Sequence, residues 1–324
     1  MSIILSNDNS LEKTQMREAY SKTIMEIIEE GKPVIHMDAD LMRAIGLLPY
    51  REKYPEHILE CGIAEANMMG VAAGLSLEGF IPFAHTFAVF ASRRACDQIF
   101  MSGAYARLNV KVVGSDPGVT AGLNGGTHQA FEDIAIMRAI PKMTIVEPSD
   151  TAMVKKTIRI ALDTYGMFYL RMFRMNAVQI YEKDSEFTIG KAVKLREGSD
   201  VTIFACGVEV IEAVRAADSL KKEGISARVY DMFTIKPVDQ QAILEAAAET
   251  GAIVTAENHN IIGGLGSAVA EVLIENHPVP MERIGISDTF GEVGQTDWLK
   301  EKFELTSRDI MKKVYKVIER KTIK

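Results

Sequence analysis

A carboxylate, Glu65, lies near the start of the run "GIAEANMMGVAAGLSLEG", among residues that are mostly small or apolar. An ionised Glu is rarely buried without a partner. Glu65 therefore either lies near a helix N-terminus, where the dipole favours it, or meets a donor such as a ligand nitrogen in dry surroundings. Ala66, Gly70, Ala73 and Gly74 leave room for close approach by a neighbouring helix or a ligand.

In "IPFAHTFAVFASRRACDQIF", Phe87, Phe90 and Arg93 recur every three residues and would share one helical face. Such aromatics either hold a flat ring by stacking or pack a core. "SDPGVTAGLNGGTHQAFED" is glycine-rich and follows a predicted strand. It suits close contact with an anionic ligand, but it fits neither the dinucleotide fingerprint nor a P-loop. His128, at the end of this loop, reads as functional in that setting. Arg171 and Arg174 end another predicted strand, where they would either bind a phosphate or make surface ion pairs. Gly263, Gly264 and Gly266 precede a helix and would shape a turn or a subunit contact.

Positioning these groups requires a scaffold. Apolar, β-branched runs at 33–38, 81–85, 110–115, 143–148 and 167–172 predict one set of strands. Runs at 200–206, 226–232, 252–258 and 281–287 predict a second. Amphipathic helical stretches lie between them, which implies parallel sheets with helices on both faces. The strands are continuously apolar, as in sheets buried on both sides. Ligands in such sheets sit at the carboxyl ends of strands, so chemistry is expected after residues 38, 85, 115, 172 and 258. The polar segment near 183–190 predicts a linker between a domain at 1–182 and another at 191–324.

Hydrophobic residues make up 47% of the chain and charged residues 25%, as in ordinary globular proteins. The net charge of −7, without a basic stripe, argues against a nucleic-acid partner. No apolar run approaches the roughly 20 residues that span a bilayer, and the N-terminus turns polar too early for a signal peptide. Cys61, Cys96 and Cys206 are odd in number and widely spaced, and read as buried reduced thiols of a cytoplasmic protein. No Cys or His pair has zinc-site spacing, so no metal site is expected on this chain.

Taken together, the motifs resemble the transketolase family of thiamine diphosphate enzymes over nearly the whole chain. "GIAEANMMGVAAGLSLEG" resembles the segment whose Glu contacts the cofactor's aminopyrimidine. "TFAVFASRRACDQI" resembles the aromatic segment after it, and "NGGTHQAFED" the loop bearing a substrate-facing His. "EPSDTAMV" and "VYDMFTIKPVD" match the framework. The resemblance implies an α/β fold of two domains: a pyrimidine-binding parallel-sheet domain and a smaller C-terminal α/β domain. It implies that Glu65 hydrogen-bonds ring nitrogen N1′ of thiamine diphosphate, with a pKa raised by apolar surroundings so that a proton is shared near neutrality. The reactive carbanion at thiazolium C2 is the cofactor's own contribution. Asp40, Ile63, Phe87 and Phe90 would complete the aminopyrimidine pocket. Asn124 and His128 would orient substrate, and Arg174 would bind its phosphate.

The departures are informative. Asn124 stands where transketolases have Asp, Asp116 or its neighbour Ser115 where they usually have His, and Arg93 where many have Tyr. The Gly-Asp-Gly motif that binds diphosphate and Mg²⁺ does not occur. The expectation is therefore the C-terminal subunit of a two-component transketolase, in which a separate N-terminal subunit carries the diphosphate and Mg²⁺ site. Two copies of each subunit are expected, with the C-terminal domain serving assembly. The reaction would move a two-carbon ketol unit from a ketose, by default phosphorylated, to an aldose. Alternatives are the β subunit of a 2-oxoacid dehydrogenase and a non-catalytic α/β subunit that binds a nucleotide or regulates a partner.

Overall fold

The computed structural model describes residues 3–6 and 9–322. Its first sheet has seven strands in the order Thr234–Lys236, Thr144–Val146, Phe168–Met172, Lys111–Ser115, Ile81–Phe87, Val34–Asp38 and Ile58–Glu60. All neighbours are parallel except Thr234–Lys236, which runs antiparallel to Thr144–Val146. The second sheet has five strands in the order Met281–Ile286, Ile253–Asn260, Val201–Ala205, Ala227–Asp231 and Val193–Arg196, the last pair antiparallel. A small antiparallel pair joins Leu11–Gln15 to Asn176–Val178.

Continuous apolar runs become strands because both faces of the first sheet are covered. Every residue of Val34–Asp38, Lys111–Ser115 and Phe168–Met172 is buried. Successive side chains face opposite cores. Val34, Phe83, Val113 and Leu170 pack with residues of the helices Met16–Glu29 and Thr151–Asp163. Ile35, Ala84, Val112 and Tyr169 pack in the core that contains Met68, Met69 and Ala72 of the helix Glu65–Leu77. The other side of that helix is open, since a Cβ at Gly70 or Gly74 would meet nothing within 4 Å among the described residues.

The long strands are where sequence places them. The shorter ones at Leu11–Gln15, Ile58–Glu60, Asn176–Val178, Val193–Arg196 and Thr234–Lys236 leave no readable period. Thr234–Lys236 comes from the C-terminal half yet extends the first sheet. The polar segment 183–190 is also anchored. Ser185 is fully buried, and Phe187 packs edge-on against Tyr181 and Phe233. Cys61 and Cys96 are only half-buried, correcting the expectation of three interior thiols, and all three are free.

The parallel register sets the site. Asp38 pairs with His85, Phe87 with Ser115, and Ser115 with Met172. The loops after these strands consequently emerge along one edge of the sheet, where the carboxyl-end rule predicts chemistry.

Candidate active site

Glu65 is the first residue of its helix and is 3% exposed. Its carboxylate accepts hydrogen bonds from Arg94 Nη1 at 3.0 and 3.2 Å. Thr86 Oγ1 lies 3.4 Å from the same group. Glu65 is thus a buried carboxylate at a helix start with a cationic partner, Arg94. The three-residue spacing that singles out Arg93 also misleads. Phe87 ends its strand and the helix starts only at Ala88, so Phe90 shares a face with Arg94 at i,i+4. The Arg94 guanidinium lies 3.9 Å from the Phe90 ring centroid, whereas Arg93 pairs with Glu132 at 2.6 Å.

The aromatic residues do converge. The Phe87 and Phe90 rings lie 6.1 Å apart at 40°. The half-buried His128 ring stands edge-on to both, at 6.0 and 5.3 Å. Its Nδ1 is 3.0 Å from Thr127 Oγ1. Val89, Phe90, Arg93, Arg94, Thr127 and His128 line one open pocket.

Beside the rings, Arg174 stacks 5.1 Å from the Phe87 centroid and pairs with Asp116. Asp116 is 2% exposed and takes a left-handed backbone at φ 51°, a conformation Asp tolerates better than most residues. Burial pushes its carboxyl up to about 6, although the Arg174 charge pulls the other way. Glu65, Phe87, Phe90, His128 and Arg174 are therefore joined through direct contacts, with Arg94 as the link that sequence missed. Asp40, Ile63 and Asn124 stand exposed outside that set of contacts. The Asp40 N–H donates to Glu60 Oε1 at 2.8 Å.

A second missed feature is a buried polar chain beneath the loops. Tyr20 Oη is 3.2 Å from His36 Nδ1, and His36 Nε2 is 3.4 Å from Asp38 Oδ2. The same Oδ2 lies 2.7 Å from His85 Nδ1, and His85 Nε2 lies 2.9 Å from Ser115 Oγ. Burial alone would raise the Asp38 carboxyl, but the two imidazoles overcome it and hold the group well below the usual range. His36, Asp38 and His85 are close enough to share an ion. Yet each imidazole nitrogen already has a partner, so the arrangement works as a hydrogen-bonded brace that fixes Ser115 and the turn at Asp116. The signal was available: two polar residues at i,i+2 in an apolar strand, with a third on the strand beside it.

The C-terminal half, expected to serve assembly, also holds the loop of the site. Asn258 Oδ1 accepts from the Val119 N–H at 2.9 Å, and Asn258 Nδ2 donates to the Pro117 carbonyl at 3.0 Å. Gly118, between them, has φ 57°, and a Cβ there would collide with Asn258 Oδ1. Gln129 Nε2 donates to the Glu292 carbonyl at 2.9 Å. The glycine-rich loop with His128 is thus clamped at both ends. Arg171 is neither a phosphate ligand nor a surface ion pair. It is fully buried and donates to Asp133 at 2.7 and 3.1 Å, Glu147 at 2.5 Å and the Asn258 carbonyl at 2.9 Å. The helix start at Gly264–Gly266 is filled from within. Leu265 and Gly266 N–H each donate to the Glu257 carboxylate at 2.7 Å.

Residues 12–179 match the transketolase pyrimidine-binding domain, and residues 190–310 match the transketolase C-terminal domain. The chain is 51% identical over 314 residues to the 6-deoxy-6-sulfo-D-fructose transketolase subunit SqwH of Clostridium sp., covering 97% of this chain and 98% of that protein. It is 40% identical over 273 residues to an apulose-4-phosphate transketolase subunit of Phocaeicola vulgatus, covering 84% and 87%. A solved structure described as a split gene transketolase, inactive beta4 tetramer, superposes with a TM-score of 0.88 at 43% identity, covering 95% of this chain and 99% of that one. On the agreement of both domain matches, these relatives and the fold, the chain belongs to the transketolase family and carries its pyrimidine-binding and C-terminal domains.

Proposed function

We propose that the chain is the C-terminal subunit of a two-component, thiamine-diphosphate-dependent transketolase. The observation that carries this reading is the Glu65 carboxylate, 3% exposed and linked to the Phe90 ring face through the Arg94 guanidinium. The fit to an aminopyrimidine has a direct indicator. A planar N–H donor group, the Arg94 guanidinium, already stacks on Phe90 while bonding to Glu65. A flat ring with a basic nitrogen needs the same two contacts. Transketolases are generally thiamine diphosphate enzymes, and both family domains are present.

When bound, thiamine diphosphate supplies the electron sink that lets the bond beside a ketose carbonyl break. The chain's own residues do the rest. Glu65 holds a proton against ring nitrogen N1′, and Phe87 and Phe90 fix the ring plane. His128, edge-on to both rings, hydrogen-bonds substrate oxygens and stabilises developing charge. Asn124 lies on the exposed rim of the same loop, where a sugar hydroxyl can reach it. Arg174 faces the substrate's distal anion. Asp40 and Ile63, both exposed, would meet the cofactor where a second polypeptide closes over it.

That second polypeptide supplies the diphosphate and Mg²⁺ site, in an assembly of two copies of each chain. Support comes from relatives that are themselves described as subunits or split-gene products. The substrate class is a ketose donor and an aldose acceptor, with a phosphate or sulfonate on the donor. One relative is named for a sulfo-sugar and another for a phospho-sugar. These relatives do not favour the dehydrogenase alternative.

The test is purification of the tagged chain from its native host under mild conditions. A stoichiometric companion of roughly 30 kDa, one to two domains in size, together with ketol transfer that needs both chains, is the expected result. Full activity of this chain alone with thiamine diphosphate and Mg²⁺, or capture of a lipoyl acyltransferase core, would overturn the proposal.

A further inference from the structure

Arg93 and Arg94 line the pocket with His128, Arg174 lies beside it over the Phe87 ring, and each of the three has a carboxylate partner. Arg93 pairs with Glu132, Arg174 with Asp116 and Arg94 with Glu65. The third pair differs in where it sits. Arg94 takes both contacts that an aminopyrimidine would need, the face of Phe90 at 3.9 Å and the carboxylate of Glu65 at 3.0 Å. A guanidinium and an aminopyrimidine are both flat and rich in N–H donors, so one can replace the other with little change in the surrounding packing. The two cannot be present together, because each needs the same ring face and the same carboxylate.

We propose that Arg94 is the resident occupant of the aminopyrimidine seat, and that the cofactor enters by exchange with it. The inference rests on the reading of Glu65 and Phe90 as that seat. Two features make the exchange practicable. The Arg94 side chain is 47% exposed, so its charge reaches water by rotation of its own torsions. It also leaves from the helix end, since Arg94 is the residue that terminates Ala88–Arg93. In the cofactor-free chain the guanidinium keeps the Glu65 charge from being buried alone, which would be costly. After exchange the ring serves Glu65. Arg94 is then left as a cation at the pocket mouth with its former partner engaged, while Arg93 and Arg174 retain theirs.

The consequence is measurable. A seat free for only a fraction of the time weakens apparent affinity by that fraction. The probe is 4-amino-5-hydroxymethyl-2-methylpyrimidine, the ring alone. It is uncharged near neutrality, so repulsion between Arg94 and a thiazolium does not enter. Binding to the isolated full chain is followed by calorimetry and ligand-observed NMR, after a cooperative thermal melt shows that each variant is folded. Arg94→Ala is expected to bind the ring on the order of tenfold tighter than the wild type. Arg94→Lys, which keeps the charge but not the flat stacking group, should fall between them. Arg159→Ala, which makes the same charge change at the distant Glu26 and Glu30 pairs, should bind as wild type. Equal or weaker binding by Arg94→Ala overturns the exchange. Failure of the seat itself reads differently. In that case Glu65→Ala binds as wild type, or the gain from Arg94→Ala survives in the double variant with Glu65→Ala.

Discussion

Asn258, on a strand of the C-terminal sheet, accepts a hydrogen bond from the Val119 N–H at 2.9 Å in the loop that leads to His128. Its amide also donates to the Pro117 carbonyl. Asn258→Ala removes both bonds and frees the loop. The expected result in the assembled enzyme is a fall in kcat/KM of about 10- to 100-fold, the scale of a small misplacement of a positioned group. The thermal midpoint should drop by only a few degrees. Unchanged kinetics would show that the C-terminal half does not position the loop.

Glu65→Gln keeps the shape and hydrogen-bonding reach of the side chain but cannot hold the shared proton. The assembled enzyme should lose about 10²- to 10⁴-fold in kcat, as for other acid–base groups, while retaining its subunit composition on gel filtration. Activity within twofold of wild type would rule out the assigned role.

The Asp116–Arg174 pair predicts a pH effect on anion binding. Burial raises the Asp116 carboxyl to about 6. Below that pH the carboxyl takes up a proton, and Arg174 is left without its counter-charge. Inorganic sulfate, a dianion throughout the range, should therefore inhibit more strongly at pH 5.5 than at pH 7.5. In the Asp116→Asn variant, sulfate should inhibit strongly and with little change across that range. A wild-type inhibition constant that is flat with pH would contradict this.

Arg171 bridges the acids Asp133 and Glu147 and the Asn258 carbonyl, all out of water. Arg171→Met keeps much of the volume but leaves two buried carboxylates without their cation. Breaking a buried pair from one side costs about 3–5 kcal/mol. Urea unfolding of the isolated chain should show a loss of that size. A loss below about 1 kcal/mol, the range of exposed pairs, would mean that water reaches the site.

Glu209 is fully buried, neither of its carboxylate oxygens is hydrogen-bonded among the described residues, and burial pushes its pKa up to about 8. The folded state then holds a proton that the unfolded chain releases near its ordinary value. Stability from this group is present at low pH and is lost as pH rises toward 8. Glu209→Gln should therefore match wild type near pH 4 and melt progressively higher than wild type as pH rises from about 5 to about 8. A difference that is constant with pH would refute the assignment.

Local pattern determined a good deal of this molecule. The long buried strands, their order along the chain, the edge where loops gather, and the family of motifs around Glu65, Phe87, Phe90 and His128 follow from runs, spacings and residue types a few positions apart. Those features depend on contacts within one element or on a period that repeats. Tertiary structure alone decided which side chains meet across elements. It brought Arg94 rather than Arg93 to Phe90 and Glu65, because the helix begins one residue after Phe87. It paired Arg174 with Asp116, took Arg171 into the core, and joined His36, Asp38 and His85 through register between neighbouring strands. It laid Thr234–Lys236 beside the first sheet and Asn258 against Val119, across 139 residues of sequence. A buried charge or amide is satisfied by whatever partner the packing delivers, and packing between distant segments leaves no period in the chain to read.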